Sequence, residues 1–358
     1  AAPEVAAAYH DADLHAQLVR FLHAAANGVH GGLIKAHALF AAQRLAADLQ
    51  KDSFIFRFHL ILLYFFAKLN IYKKSVIISF MKIGIIDVGG GMRDVFGAGV
   101  FDACLDNDIT FDLGIGVSAG SANLAGFMAK QKGRSKRFYT EYAFRKEYMS
   151  FKNLFKKGNY VDLDYIYSGL SNANGEDPID YSTFSSNPMQ LEVVSTKADT
   201  GNAVYFSKKD MPVNCYDILK ASSCLPVLCR PYPIDGEVYF DGGMSDPIPL
   251  QRALDKGCDK IVLILTRPKT WMRDPKKDLV PAKLLEHSYP ESSKKLMNRA
   301  YLYNEQLATA LELERSGKVC IVSPEHIENM KTLNKDKEQL ESLYDQGYKL
   351  IEDIKKFI

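Results

Sequence analysis

Nothing constrains this chain more than the passage through Gly116-Val117-Ser118-Ala119-Gly120. An apolar run from Phe111 to Val117 leads into it, and a helix-forming stretch from Ser121 to Lys130 leads out. A strand that becomes a helix across G-x-S-x-G puts the serine on a sharp, strained turn and lifts its hydroxyl clear of the sheet. Gly116 and Gly120 allow neighbouring backbone to approach without a Cβ clash. The positive end of the following helix points at the site where negative charge would develop during acyl transfer. The plain alternative is a small-residue turn with an idle serine.

Around this turn, strand and helix patterns alternate. Strands are expected at 82–88, 112–117, 190–195, 203–207, 237–240, 260–266 and 318–322, and helices near 95–106 and 119–131. Asp199-Thr200-Gly201-Asn202 reads as the turn of a hairpin. Short apolar strands separated by helices predict a mainly parallel sheet covered on both faces, a three-layer α/β/α domain. Leu340, Leu343, Tyr344, Gly347, Ile351 and Ile354 follow the spacing of an amphipathic helix packed on a core. The expected organisation is a leader over 1–80, a catalytic domain over 81–275 and a helical C-terminal extension over 276–358.

Gly89-Gly90-Gly91-Met92-Arg93 follows the first strand and precedes a helix. Acyl transfer needs backbone amides aimed at the oxygen that becomes negative, and one lost donor typically costs ~10²–10³ in rate. A triple glycine can turn with its amides exposed in that way. The competing use is a dinucleotide cradle, but that spacing wants glycine at 94, where Asp94 stands, and no suitably placed ribose-binding acid follows.

An activated serine needs a proton acceptor. From Met81 onward the only histidines are His287 and His326, both in polar stretches away from strand ends. Asp241 does close a strand, Val238-Tyr239-Phe240, and opens the tight turn Asp241-Gly242-Gly243. A free aspartate, with a pKa of ~3.9, is a weak base; apolar surroundings raise that value and a fixed contact to Ser118 matters more.

Residues 1–50 hold 16 alanines and five of the eight histidines, His10, His15, His23, His30 and His37. Residues 51–80 switch to Phe, Ile, Leu, Tyr and Lys, and the strand pattern starts at Met81. A native start at Met81 would explain the change, with the leader as fused or upstream sequence. The run Phe54–Phe66, interrupted by Arg57 and His59, is short of the roughly 20 apolar residues a spanning helix needs. The six cysteines are scattered without a CxxC pair, which suits a reducing, cytoplasmic setting. A net charge of +2 gives no reason to expect a nucleic acid as partner.

Taken together, Gly89-Gly90-Gly91-Met92-Arg93, Gly116-Val117-Ser118-Ala119-Gly120 and Asp241-Gly242-Gly243 resemble the three signatures of the patatin-like phospholipases. Ser121-Ala122-Asn123, Arg134 to Tyr142, Ala221-Ser222-Ser223 with Pro226, and Asp246-Pro247-Ile248-Pro249 are similar to its bacterial branch. The resemblance covers roughly residues 81–270 and more loosely the rest, and it does not reach residues 1–80. It implies a Ser–Asp dyad that hydrolyses acyl esters of lipids, phospholipids among them, without metal or organic cofactor. By the match Ser118 is the nucleophile and Asp241 its base, Gly90 and Gly91 supply oxyanion amides, with Gly89 in the same loop, and Arg93 steadies it. Asp94 departs from the glycine common at its position and puts the loop's flexibility, and with it activity, in question.

Between Lys130 and Lys157 ten Lys or Arg residues stand against Glu141 and Glu147, interleaved with Phe138, Tyr139, Tyr142, Phe144, Tyr148, Phe151 and Phe155. Such a stretch suits peripheral contact with an anionic bilayer; the alternative is a solvated helix with its aromatics in the core. A lipid acyl hydrolase is therefore expected. Its rivals are a general esterase or thioesterase using the same dyad, and a catalytically silent lipid-binding protein.

Overall fold

The computed structural model of the protein describes residues 81–327 and 330–358. The expectations for the leader, including its histidines and the Phe54–Phe66 run, lie outside the described residues.

Eight strands form one sheet among the described residues: β1 (Ile83–Asp87), β2 (Leu113–Val117), β3 (Gln190–Lys197), β4 (Ala203–Ser207), β5 (Tyr232–Ile234), β6 (Glu237–Asp241), β7 (Lys260–Ile264) and β8 (Val319–Val322). Their order is β5-β6-β3-β2-β1-β7-β8, with β4 paired to β3. The pairs from β3 through β2, β1 and β7 to β8 are parallel, whereas β4, β5 and β6 run antiparallel to their neighbours. The central strands, Ile-Gly-Ile-Ile-Asp and Leu-Gly-Ile-Gly-Val, are buried almost throughout because helices cover both faces. β5 lies outside the expected strands; it is three residues long and contains Pro233, which an edge strand tolerates.

The helices are α1 (Val95–Asp106), α2 (Ala119–Met128), α3 (Arg134–Thr140), α4 (Phe151–Lys157), α5 (Tyr181–Ser186), α6 (Asp217–Ser222), α7 (Leu250–Asp255), α8 (Lys276–Leu285), α9 (Pro290–Arg315), α10 (Lys337–Lys349) and α11 (Ile351–Phe357). Successive residues of β1 point to opposite layers: Ile85 belongs to the core that holds Phe96, Leu124 and Leu340, and Ile86 to the core that holds Ile115, Leu263 and Leu307. These two apolar cores, one on each face, make the three-layer α/β/α fold. The segment after residue 276 contributes an edge strand, β8, as well as helices, and α10 lies against α1.

Register decides what meets at the sheet's upper edge. Asp87 pairs with Gly116, Val117 with Val194, and Ser195 with Asp241. The ends of β1 and β2, and that of β6 across the intervening β3, therefore lie at one level, where parallel sheets place their ligand crevices.

Candidate active site

Ser118 begins where β2 ends, with φ 56° and ψ −128°, a left-handed conformation that costs a non-glycine residue about 1–3 kcal/mol unless its surroundings enforce it. They do. Its amide donates to Ser222 Oγ at 2.9 Å, and its carbonyl accepts from Ser121 Oγ at 2.8 Å. Ser222 Oγ itself donates to the Val194 carbonyl at 2.6 Å. Gly120 and Gly116 permit the tight turn: a Cβ on Gly120 would lie 2.4 Å from the Asp87 carbonyl, and one on Gly116 2.5 Å from Ser121 Cα.

Asp241 closes β6. Its Oδ1 accepts the Gly243 amide at 2.8 Å, and its backbone is fixed through Cys224 and Thr196. Burial pushes its carboxyl above the usual range, opposed by the Ser118 hydroxyl, the Gly243 amide and the charges of Arg299 and Arg273. Ser118 is thus close enough to favour the carboxylate, yet Oδ2 has no formed hydrogen bond. That oxygen is buried and free to accept, and catalytic contacts commonly tighten only with substrate bound.

The glycine loop needs its glycines. Gly89, Gly90 and Gly91 have φ of 66°, 143° and 61°. Their roles separate: the Gly89 amide is already engaged by Asp87 Oδ1 at 3.1 Å, and its carbonyl accepts Thr266 Oγ1. The amides of Gly90 and Gly91 are without a partner among the described residues, whereas the Met92 amide donates to the Thr332 carbonyl at 2.7 Å. Arg93 is buried, and its Nη1 donates to Thr332 Oγ1 at 3.0 Å.

Asp94 lines neither cavity at the site. It is fully buried beneath the loop and faces Asp87; both carboxyls sit over Gly97, where a Cβ would lie 2.6 Å from an oxygen of each. Neither Asp94 oxygen reaches a conventional donor. Two carboxyls so close in a buried setting cannot both ionise without cost, and Asp87 accepts from Asn123 Nδ2 at 3.2 Å. Burial pushes Asp87 up to about 6, and burial with the Asp87 charge pushes Asp94 well above the carboxylate range.

Two cavities meet at Ser118. One is apolar, walled by Met92, Phe138, Tyr139, Tyr148, Ile166 and Leu333. The other, shared with Asp241, is lined by arginines. The supports contributed by Thr266 and Thr332 carried no local sequence signal, because each reaches the glycine loop from its own distant segment, whereas Ser222 lies in the Ala221-Ser222-Ser223 stretch and Asp87 is two residues from Gly89. Asp87 could have been noticed, as a charge ending an otherwise apolar buried strand.

Residues 88–254 match the family model for patatin-like phospholipases, and residues 289–356 match one for a domain of unknown function, DUF6363. The chain is 30% identical over 200 residues to the uncharacterized protein YjjU of Escherichia coli (strain K12), an alignment that covers 52% of each. It thus spans about half the length of that relative. Among solved structures it is similar to VipD from Legionella pneumophila, with a TM-score of 0.46 and 14% identity over 77% of this chain and 67% of the other.

Proposed function

We propose that this chain, which belongs to the patatin-like phospholipase family through residues 88–254, hydrolyses carboxylic esters of lipids through an acyl-enzyme on Ser118. The family supports lipid acyl hydrolysis in general; the dyad and its substrate are our reading. The observation that carries it is a buried serine on an enforced strained turn, at the junction of an apolar and a basic cavity, beside the open Oδ2 of a buried aspartate.

Ser118 Oγ attacks the acyl carbon while its proton passes to Asp241 Oδ2. Gly90 and Gly91 donate to the oxyanion, and Arg93 and Thr332 hold the loop that carries them. The Ser118 ester forms as the lipid alcohol leaves with the proton from Asp241. Water, deprotonated by Asp241, then releases the fatty acid and restores Ser118. Asp94 lies outside this chemistry, since it is fully buried and lines neither cavity.

Esterase assays on the full chain test the reading. With a short p-nitrophenyl ester, Ser118→Ala is expected to remove turnover by about 10⁴–10⁶-fold. Asp241→Asn should abolish the acid limb of the rate profile, which in the wild type falls as pH drops through a pKa raised above 3.8. A Ser118→Ala protein as active as wild type would exclude the dyad. Preference for acyl-CoA over phospholipid would identify the thioesterase instead, and a folded but inactive wild type the silent lipid binder.

Peripheral membrane contact narrows to α4. Phe138, Tyr139, Tyr142 and Tyr148 are buried in the core, and Arg134 and Arg137 bond to Asp177. On α4, by contrast, Phe151 and Phe155 are 69% and 85% exposed among Lys152, Lys156 and Lys157. Met149 and Val161, bridged on either side of α4, both line the apolar cavity, which favours lipid entry from this side. No helix among the described residues is long and apolar enough to cross a membrane. All six cysteines are free thiols, which supports a cytoplasmic setting.

A further inference from the structure

We infer that the second cavity at Ser118 is a subsite for the anionic head group of the ester substrate, a phosphate monoester or diester, held by Arg93, Arg267, Arg273 and Arg299. The inference rests on the acyl-hydrolase reading and names the substrate class for that same site.

The chamber measures about 410 Å³ and is lined by those four arginines with Asp241, Trp271 and Tyr303. Its charge is only partly offset from within, by Asp241 on its wall and by Asp278. Arg273 and Arg299 share a single carboxylate, Asp278, through a fork of 2.9 Å bonds from Arg273 and further bonds from Arg299. Arg267 lies 4.2 Å over the Trp271 ring and has no carboxylate partner among the described residues. Arg93 is 6% exposed, and its Nε is buried with no acceptor. An unpaired buried cation is costly unless something outside the chain supplies the counter-charge. The crowding has a second sign: burial and the charges of Arg267 and Arg273 pull Arg93 down to about 9.

Each planar guanidinium group bonds phosphate oxygens in pairs, so a cluster of arginines selects phosphate over a point anion. The layout also fits the connectivity of a phosphoglyceride. With its ester carbon at Ser118, the acyl chain enters the apolar cavity and the phosphate, a few bonds away on the alcohol side, enters the chamber. Three of the four arginines lie outside the patatin-like match, and Arg299, on α9, belongs to the region matched as a domain of unknown function. Head-group recognition is then what that region adds to the catalytic site.

The test compares a lysophospholipid with a monoacylglycerol of the same chain length, both below their micelle concentrations so that surface binding plays no part. Wild type is expected to favour the lysophospholipid in kcat/KM by about tenfold or more, the worth of a charge-assisted contact. Arg267→Gln should collapse that ratio, mainly through KM, and Arg267→Lys should restore part of it. Inorganic phosphate should inhibit hydrolysis of the monoacylglycerol competitively. A ratio near one, or a ratio that Arg267→Gln leaves intact, would overturn the subsite while leaving Ser118-dependent hydrolysis standing. Inhibition by phosphate with a ratio near one would mean a free-anion site and also overturn it. Absence of Ser118-dependent hydrolysis of either substrate by folded wild type would instead overturn the underlying enzyme reading.

Discussion

Asp94 is the residue whose chemistry the sequence alone could least settle. A carboxyl in place of glycine at the end of the glycine loop suggests interference with the oxyanion, yet the side chain turns beneath the loop to face Asp87, and burial raises both carboxyls. The arrangement carries a cost that depends on pH. Below the unfolded pKa of 3.8 both states hold their protons and the buried pair costs nothing extra. As pH rises through the raised folded values, the unfolded chain ionises freely while the fold must keep a proton or bury a second charge, so stability falls. Asp94→Asn, whose amide can donate to ionised Asp87 at any pH, is expected to raise Tm at pH 8 by several degrees, about 2–4 °C per kcal/mol. The gain should vanish near pH 4. Thermal denaturation at the two pH values checks this, and an equal shift at both would point to packing alone.

Between elements, the tightest seam joins α1 to α10. Gly99 and Gly347 face the partner backbone so closely that a Cβ on either would lie 2.1 Å from a carbonyl oxygen, of Tyr344 and Phe96 respectively. Tyr344 Oη also donates to buried Asp102 at 2.8 Å. The i, i+3, i+4 pattern of α10 announced a packed face but not its partner, and the two glycines look unremarkable in sequence. The seam matters to the site because α10 follows the segment whose Thr332 grips Met92 and Arg93. Gly347→Ala should destabilise the fold by about 1–3 kcal/mol, as overpacking does. Chemical denaturation is expected to show a lower midpoint at unchanged m, with ester hydrolysis more heat-sensitive than in wild type.

At the scale of the whole molecule, the two exposed phenylalanines and three lysines of α4 lie beside residues that line the apolar cavity, so the proposed surface attachment and substrate entry would share one side. Lys152→Glu with Lys156→Glu should weaken binding to anionic vesicles by about fivefold or more per residue, at ~1 kcal/mol per basic group. Hydrolysis of a soluble ester by the same protein checks that the site is intact; equal loss of both would exclude the docking face. What the sequence determined by itself is what local pattern encodes. Apolar runs such as 113–117 marked buried parallel strands, G-x-S-x-G marked the strained turn, and the triple glycine marked a loop whose φ values other residues rarely adopt. The tertiary structure decided everything that depends on register and on distant partners. It is the pairing of Val117 with Val194 and of Ser195 with Asp241 that carries Asp241 to Ser118. It is packing that sorts the aromatics of 138–155 into core and surface, turns Asp94 under the loop, and gathers Arg267, Arg273 and Arg299 at the serine. Periodicity records which face of an element is apolar; it cannot record which other element that face will meet, because that choice is made by long-range packing alone.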